Sequence, residues 1–429
     1  MDGLTAGALP LFPDSAAVED GELALGGLRA SELAAEHGTP LVVYCNQTLL
    51  AAVRAYRAAA PDALCLYSVK AFPNLALLRL FAGEGLGADV STFGELAYAL
   101  RAGVAGERIV VHGNNKTDEE LRAAAEAEVR FVVLDAPDEV ERAAAAGIEQ
   151  VLVRVTPGIE ADTHPAIRTA HHGSKFGLTP EQTLVAIARA REAGLEVAGL
   201  HLHIGSQLLD SEAARTGIEW LGAFAADCRG QLGWEPRVID LGGGLGIRYV
   251  EDERPPEIGD FVRTLLERLE HAWSLHGLEA PETILEPGRS VAGHAACTLY
   301  RVGVVKATGT RTYVAIDGGM SDNPRPQLYG ARYTALLANR AAEEPGGSYT
   351  VCGKHCESGD VLIDSVPLPE PRRGDLLAVP GTGAYTLAMG SNYNAVPRPA
   401  AVLVADGQAR VIRSRESVDD LLRHEEASG

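Results

Sequence analysis

No apolar run in this 429-residue sequence approaches the roughly 18 residues that a membrane-spanning helix needs. Basic charge is scarce: 38 Lys and Arg against 58 Asp and Glu leave a net charge of −20, which argues against nucleic acid or an anionic membrane as partner. Cysteine is sparse too, and six residues scattered from Cys45 to Cys356 make no disulfide framework in so long a chain. Met1 to Gly21 carries Asp2, Asp14, Glu19 and Asp20 and no basic residue, so no secretory signal is expected and the protein is read as cytoplasmic. What is present, 46% hydrophobic and 22% charged residues, is the composition of a soluble globular protein long enough for two domains with full cores.

Short apolar strands alternate with Ala/Leu/Glu-rich helical stretches through the first two thirds. The strand candidates are 64–69, 87–90, 108–112, 131–135, 151–155, 199–204, 238–241 and 283–285, with helical patterns between them and capping residues such as Thr117 and Thr179. Eight evenly spaced strands with helical crossovers favour a (β/α)8 TIM-type barrel over an open doubly wound sheet. After about residue 290 the texture turns to β-branched runs with Gly and Pro punctuation, which predicts a second, mainly β domain. The expected division is an N-terminal segment, 1–38, joining the β domain through 23–25, a barrel over 39–290, and a β domain over 291–429.

Barrel enzymes carry their working residues at the C-terminal ends of strands. Lys70 closes the run Leu64-Cys-Leu-Tyr-Ser-Val-Lys, where desolvation of the ammonium would suit a Schiff-base lysine and the competing reading is a snorkelling surface lysine. Asp89, His112, Asn114, Arg154 and His203 occupy equivalent positions on other strands. Gly242-Gly-Gly-Leu-Gly246 offers bare amides to a phosphate, or is simply a tight turn; its spacing is not that of a dinucleotide site. Glu286-Pro287-Gly288-Arg289 sets a carboxylate and a guanidinium around one turn, as a pyridine-nitrogen partner or a structural ion pair. Lysine, phosphate cradle and carboxylate together describe a pyridoxal phosphate site.

The chain resembles, over nearly its whole length, the fold-type III pyridoxal phosphate-dependent decarboxylases, and within them the enzymes acting on diaminopimelate. The likeness is carried by Tyr67-Ser-Val-Lys-Ala71, His112-Gly-Asn-Asn-Lys116, Ser174-Lys-Phe-Gly177, His203-Ile-Gly-Ser-Gln207, Gly242–Gly246 and Glu286–Arg289. It continues in Ser321-Asp-Asn-Pro-Arg-Pro326, Tyr329-Gly-Ala-Arg-Tyr333, Cys356-Glu-Ser-Gly-Asp360, Gly383-Ala-Tyr385 and Ser391-Asn-Tyr-Asn394. The resemblance implies an alanine racemase-like fold, a homodimer with shared active sites, and decarboxylation of an amino acid. It gives Lys70 the covalent link to pyridoxal phosphate, His203 a stacking role, and Gly244, Glu286, Pro287, Gly288 and Arg289 contacts to the cofactor. It gives Arg289, Arg325 and Tyr329 the substrate's distal carboxylate, Glu357 its distal ammonium, Tyr385 both phosphate and substrate, and Cys356 the returning proton across the dimer interface.

Two segments depart from the family pattern. Ala71-Phe72 stands where Ala-Asn is usual, and Thr169-Ala170-His171-His172 where Thr-Gly and an acidic pair are usual, within an expected lid between Ile159 and Gly177. Cys352, His355 and Cys356 have no second ligand pair nearby, so no metal is expected. Decarboxylases of ornithine, arginine or carboxynorspermidine share the scaffold. A partner-binding relative without activity would have lost Lys70 or Cys356, and a racemase would need an acid–base residue opposite Lys70.

Overall fold

Leu64-Cys-Leu-Tyr-Ser68 is buried at every position, and a strand of that kind needs cover on both faces. It is the first strand, β1, of a closed parallel barrel. The others are β2 (Gly87–Val90), β3 (Ile109–Val111), β4 (Phe131–Leu134), β5 (Gln150–Arg154), β6 (Glu196–His201), β7 (Val238–Asp240) and β8 (Glu282–Leu285). Closure runs through β8, where Ile284 and Leu285 register with Leu64 and Cys65. Leu66, Val110, Phe131, Val133, Leu152, Ala198 and Ile284 form the barrel's apolar filling.

Several helices between strands start at a side-chain cap. Thr117 and Thr179 each accept from the backbone three residues on, and Glu120 and Gln182 return the bond. Asn74 accepts from the amides of Ala76 and Leu77 and so starts Leu75–Gly83. Phe72, one of the departures from the family pattern, is buried. Lys116, in the His112–Lys116 motif, is buried with Nζ donating to Gly113 O at 2.6 Å and Val133 O at 2.7 Å and lying 3.0 Å from Glu139.

The computed structural model describes residues 8–157 and 174–425. Within the chain two compact units are distinguished: Ala52–Gly246 with Pro255–Ser290, which holds the barrel, and Met1–Ala51, Ile247–Arg254 and Val291–Gly429. The second is mainly β. Its large sheet runs Val361–Leu368, Gly347–Cys352, Arg311–Ile316, Ala296–Thr308, Leu41–Cys45, Ala400–Ala405, Gln408–Arg413. Leu41–Cys45 belongs here, and not to a barrel beginning at residue 39, because it pairs with Ala296–Thr308 on one side and Ala400–Ala405 on the other. The expected strand at 23–25 forms as Glu22–Leu25, but in a separate sheet with Ala16–Glu19 and Leu28–Arg29. Glycines with positive φ at Gly21, Gly26 and Gly27 close these two hairpins locally.

Candidate active site

Lys70 stands on the short turn Val69–Ala71 just past β1, with Nζ 3.3 Å from Asp89 Oδ2. Its side chain is 49% exposed, which corrects the expectation of a desolvated amine. The turn carries the side chain out of the apolar strand to the barrel mouth, where the buried Asp89 of β2 meets its ammonium. Ser68 Oγ donates to the same carboxylate oxygen at 2.6 Å.

Four strand ends supply a buried cluster. His112 Nε2 lies 2.5 Å from Glu286 Oε1, and His201 Nε2 lies 3.6 Å from Glu286 Oε2. The two imidazoles meet edge to face with centroids 4.8 Å apart. Asp240 Oδ2 is 4.0 Å from His112 Nε2, while Asp240 Oδ1 accepts the Gly242 amide at 2.8 Å. Burial works against the charge on Glu286, but His112 and His201 outweigh it and hold that carboxyl well below the usual range. Asp240 goes the other way: burial, then the negative charge of Glu286, push its carboxyl well up. Burial also lowers His201, to about 4, so its ring is neutral. One negative charge is thus concentrated on Glu286. His112, His201, Asp240 and Glu286 place one ligand atom each within 4.8 Å of one another. The 2.5 Å approach of His112 to Glu286 is that of a hydrogen bond. Sequence reasoning missed His201 and Asp240.

His203 lies two residues beyond β6, beside the glycine turn, and the Gly243 amide donates to its Nδ1 at 3.4 Å. Burial, then the cations Arg154 and Lys70, hold this imidazole well below its ordinary range, so it is a neutral flat ring. Gly244 has φ +119, and a Cβ there would meet Gly205 O at 2.6 Å, so the turn admits no side chain at that point. Pro287, Gly288 and Arg289 are buried, and Arg289 Nη2 donates to Ser206 Oγ at 3.1 Å.

The remaining predicted residues lie in the β unit. Arg325, 4% exposed, opens the helix Arg325–Tyr329. Its guanidinium lies 4.2 Å from the Tyr249 ring centroid and donates to Tyr333 Oη at 2.5 Å. Among the described residues it forms no ion pair, and its Nε has no hydrogen-bond partner. Tyr329 Oη approaches Met389 Sδ at 3.9 Å. Tyr385 has φ 58, a costly conformation for an aromatic residue and one that recurs at functional sites. Cys356 and Glu357 are exposed. The altered lid residues, Thr169 to His172, lie outside the described residues.

Asp322, in the same motif as Arg325, accepts from the Tyr300 hydroxyl and from the Gly319 amide at 2.9 Å. Burial raises its carboxyl from 3.8 to about 7. A carboxyl raised by folding contributes stability below its unfolded value and loses it as pH rises through the folded one. Relative to Asp322→Asn, the native protein should therefore lose about 3 kcal/mol of stability between pH 5 and pH 8, at roughly 1.4 kcal/mol per pH unit up to the folded value. Denaturant titrations of both at the two pH values check this; equal pH dependence would contradict it.

Residues 46–293 match the family model described as "Pyridoxal-dependent decarboxylase, pyridoxal binding domain". The chain belongs to the pyridoxal-dependent decarboxylase family. A diaminopimelate decarboxylase of Actinosynnema pretiosum subsp. auranticum is 45% identical, over 99% of this chain and 97% of that protein. One of Bacillus subtilis (strain 168) is 41% identical over 94% and 95%. The crystal structure of diaminopimelate decarboxylase from M. jannaschii in co-complex with L-lysine superposes with a TM-score of 0.89, at 33% identity, covering 96% of this chain and 98% of that one. Barrel and β domain follow that family's fold, and pyridoxal phosphate is its cofactor. The barrel residues fit that group: an amine at the mouth, a turn whose Cβ-less backbone leaves room beside it, and a buried ionised carboxylate.

Proposed function

We propose that this pyridoxal phosphate-dependent carboxy-lyase converts meso-2,6-diaminopimelate to L-lysine and CO2, the last step of lysine biosynthesis. The observation that carries the substrate choice is Arg325, a buried guanidinium without an acidic partner among the described residues. Burying an uncompensated cation is costly, and a substrate carboxylate would compensate it. A plain diamine precursor such as ornithine has no distal carboxylate to offer. The names of the relatives agree with this choice.

When bound, the cofactor supplies an electron sink for the bonding pair left as CO2 departs. In our reading Lys70 would hold the cofactor, with Asp89 orienting the amine, and the neutral His203 ring would lie against it. Gly244 and the Glu286–Arg289 turn would hold the cofactor, and the negative charge of Glu286 would favour a protonated ring. Arg325, Tyr329 and Arg289 hold the distal carboxylate, Glu357 the distal ammonium, and Tyr385 both phosphate and substrate. Cys356 delivers the proton that replaces CO2. The protein acts as a cytoplasmic homodimer, with Cys356 serving the neighbouring chain's barrel.

CO2 release should be fast from diaminopimelate and weak from ornithine and arginine; the opposite ranking would reassign the substrate. Charge-assisted bonds from a guanidinium are worth roughly 1.5–3 kcal/mol each. Arg325→Ala should accordingly lower kcat/KM for diaminopimelate by about one to two orders of magnitude. Binding of lysine, which lacks that carboxylate, should weaken far less. Equal loss for both ligands would point to general damage at the site.

A further inference from the structure

One loop of the β unit has a buried frame and an exposed middle. His355 and Asp360 are buried, 8% and 3% exposed, while Cys356, Glu357, Ser358 and Gly359 between them are exposed. We propose that Asp360, acting with His355, is a positioning carboxylate that sets where Cys356 and Glu357 stand without itself touching the substrate. This rests on Cys356 as the proton donor.

The carboxylate is bonded on both oxygens. Asp360 Oδ1 accepts the Met320 amide at 2.8 Å. Asp360 Oδ2 accepts the His355 amide at 3.0 Å and lies 2.6 Å from His355 Nδ1. The backbone closes the same loop, with the Gly353 amide donating to Asp360 O at 2.9 Å and the Asp360 amide to Glu357 O at 3.1 Å. Two glycines make the space: a Cβ on Gly353 would fall 2.1 Å from Asp360 Oδ2, and one on Gly319 2.6 Å from Oδ1. The His355 ring stacks on Tyr393 at 5.9 Å and 18°. Next along the chain, Asn394 Oδ1 accepts the Cys356 amide at 2.8 Å.

The exposed residues Cys356 to Gly359 are therefore clamped at both ends by one charge. Through Met320 the same charge ties that loop to the segment leading into Arg325. An amide cannot replace it, because two of its bonds fall on one oxygen and an NH2 group turned toward the amide donors repels them. His355, directly before the cysteine, gives the carboxylate a ring donor that the backbone alone cannot supply.

The test uses holoenzyme turning over diaminopimelate in D2O. The carbon that loses CO2 becomes a CH2 in lysine, and a fixed thiol should deuterate one of its two prochiral positions. The native protein should place the label in one position, read by NMR. Asp360→Asn should lower kcat about 100-fold, the cost of a small misplacement of a reacting group, and raise KM as Glu357 shifts from the distal ammonium, with cofactor absorbance retained. Its label should appear in both positions, as solvent protonates either face. His355→Phe, which keeps the ring against Tyr393 but removes the Nδ1 contact, should give a smaller kcat loss and a partial mixture; it decides the matter if Asp360→Asn does not fold. A slow Asp360→Asn that still labels one position, or one with native kcat, would overturn the positioning role. A mixture from the native protein would instead overturn Cys356 as the donor.

Discussion

Glu286→Gln should lower kcat by about two to three orders of magnitude while most of the cofactor stays bound. The residue is 6% exposed and is kept ionised by His112 at 2.5 Å and by His201 beyond it, against the pull of burial. Glutamine preserves the volume and can still bond His112, so the change removes charge and little else. In a water-excluded site an electrostatic contact to developing charge is worth roughly 2.7–4 kcal/mol, which is the expected loss. Asp240 is a poor substitute anion, because burial alone, the larger cause, still pushes its carboxyl up once the Glu286 charge is gone. The measurement is kcat beside cofactor absorbance. A variant with near-native kcat would mean that the ring nitrogen has another partner.

Cys356→Ala and Lys70→Ala should each be almost inactive alone, yet recover activity when dissociated and reassociated together. Lys70 belongs to the barrel unit and Cys356 to the β unit. In the proposed two-fold dimer each active site draws Lys70 from one chain and Cys356 from the other. A mixed dimer then has one site carrying both lesions and one carrying neither. Random reassociation gives about half mixed dimers, so activity should rise toward a quarter of the native value. If mass spectrometry shows that subunits have exchanged and activity stays absent, both residues act within one chain.

The barrel was legible in the sequence because its strands are short apolar runs and several are followed by a capped helix, as at Thr117 and Thr179, and these are local signals. Lys70, Glu286 and the Gly242–Gly246 turn were legible for the same reason, since they mark where strands end. His201 and Asp240 were not. With β6 drawn as far as Ile204 and β7 as far as Leu241, attention fell on His203 and the glycines. The observed strands end on His201 and Asp240 themselves. The run Gly199-Leu-His-Leu-His203 held a clue: two histidines two residues apart in a strand share a face.

Leu41–Cys45 escaped notice because both of its partners lie more than 250 residues away in sequence. Lys70 was placed correctly, but its surroundings were not, because a half-turn beyond the strand exchanges an apolar wall for a carboxylate and solvent. The burial of His355 and Asp360 had no signal at all: a polar loop reads as exposed, and the room for Asp360 comes from two glycines opposite it, Gly319 and Gly353.

Borohydride reduction of the holoenzyme tests most directly that the barrel mouth is the pyridoxal phosphate site. Before reduction the protein should show the visible absorbance of a lysine-linked cofactor; afterwards that band should vanish, and peptide mapping should find the adduct on Lys70. An adduct on any other lysine would contradict the site described here.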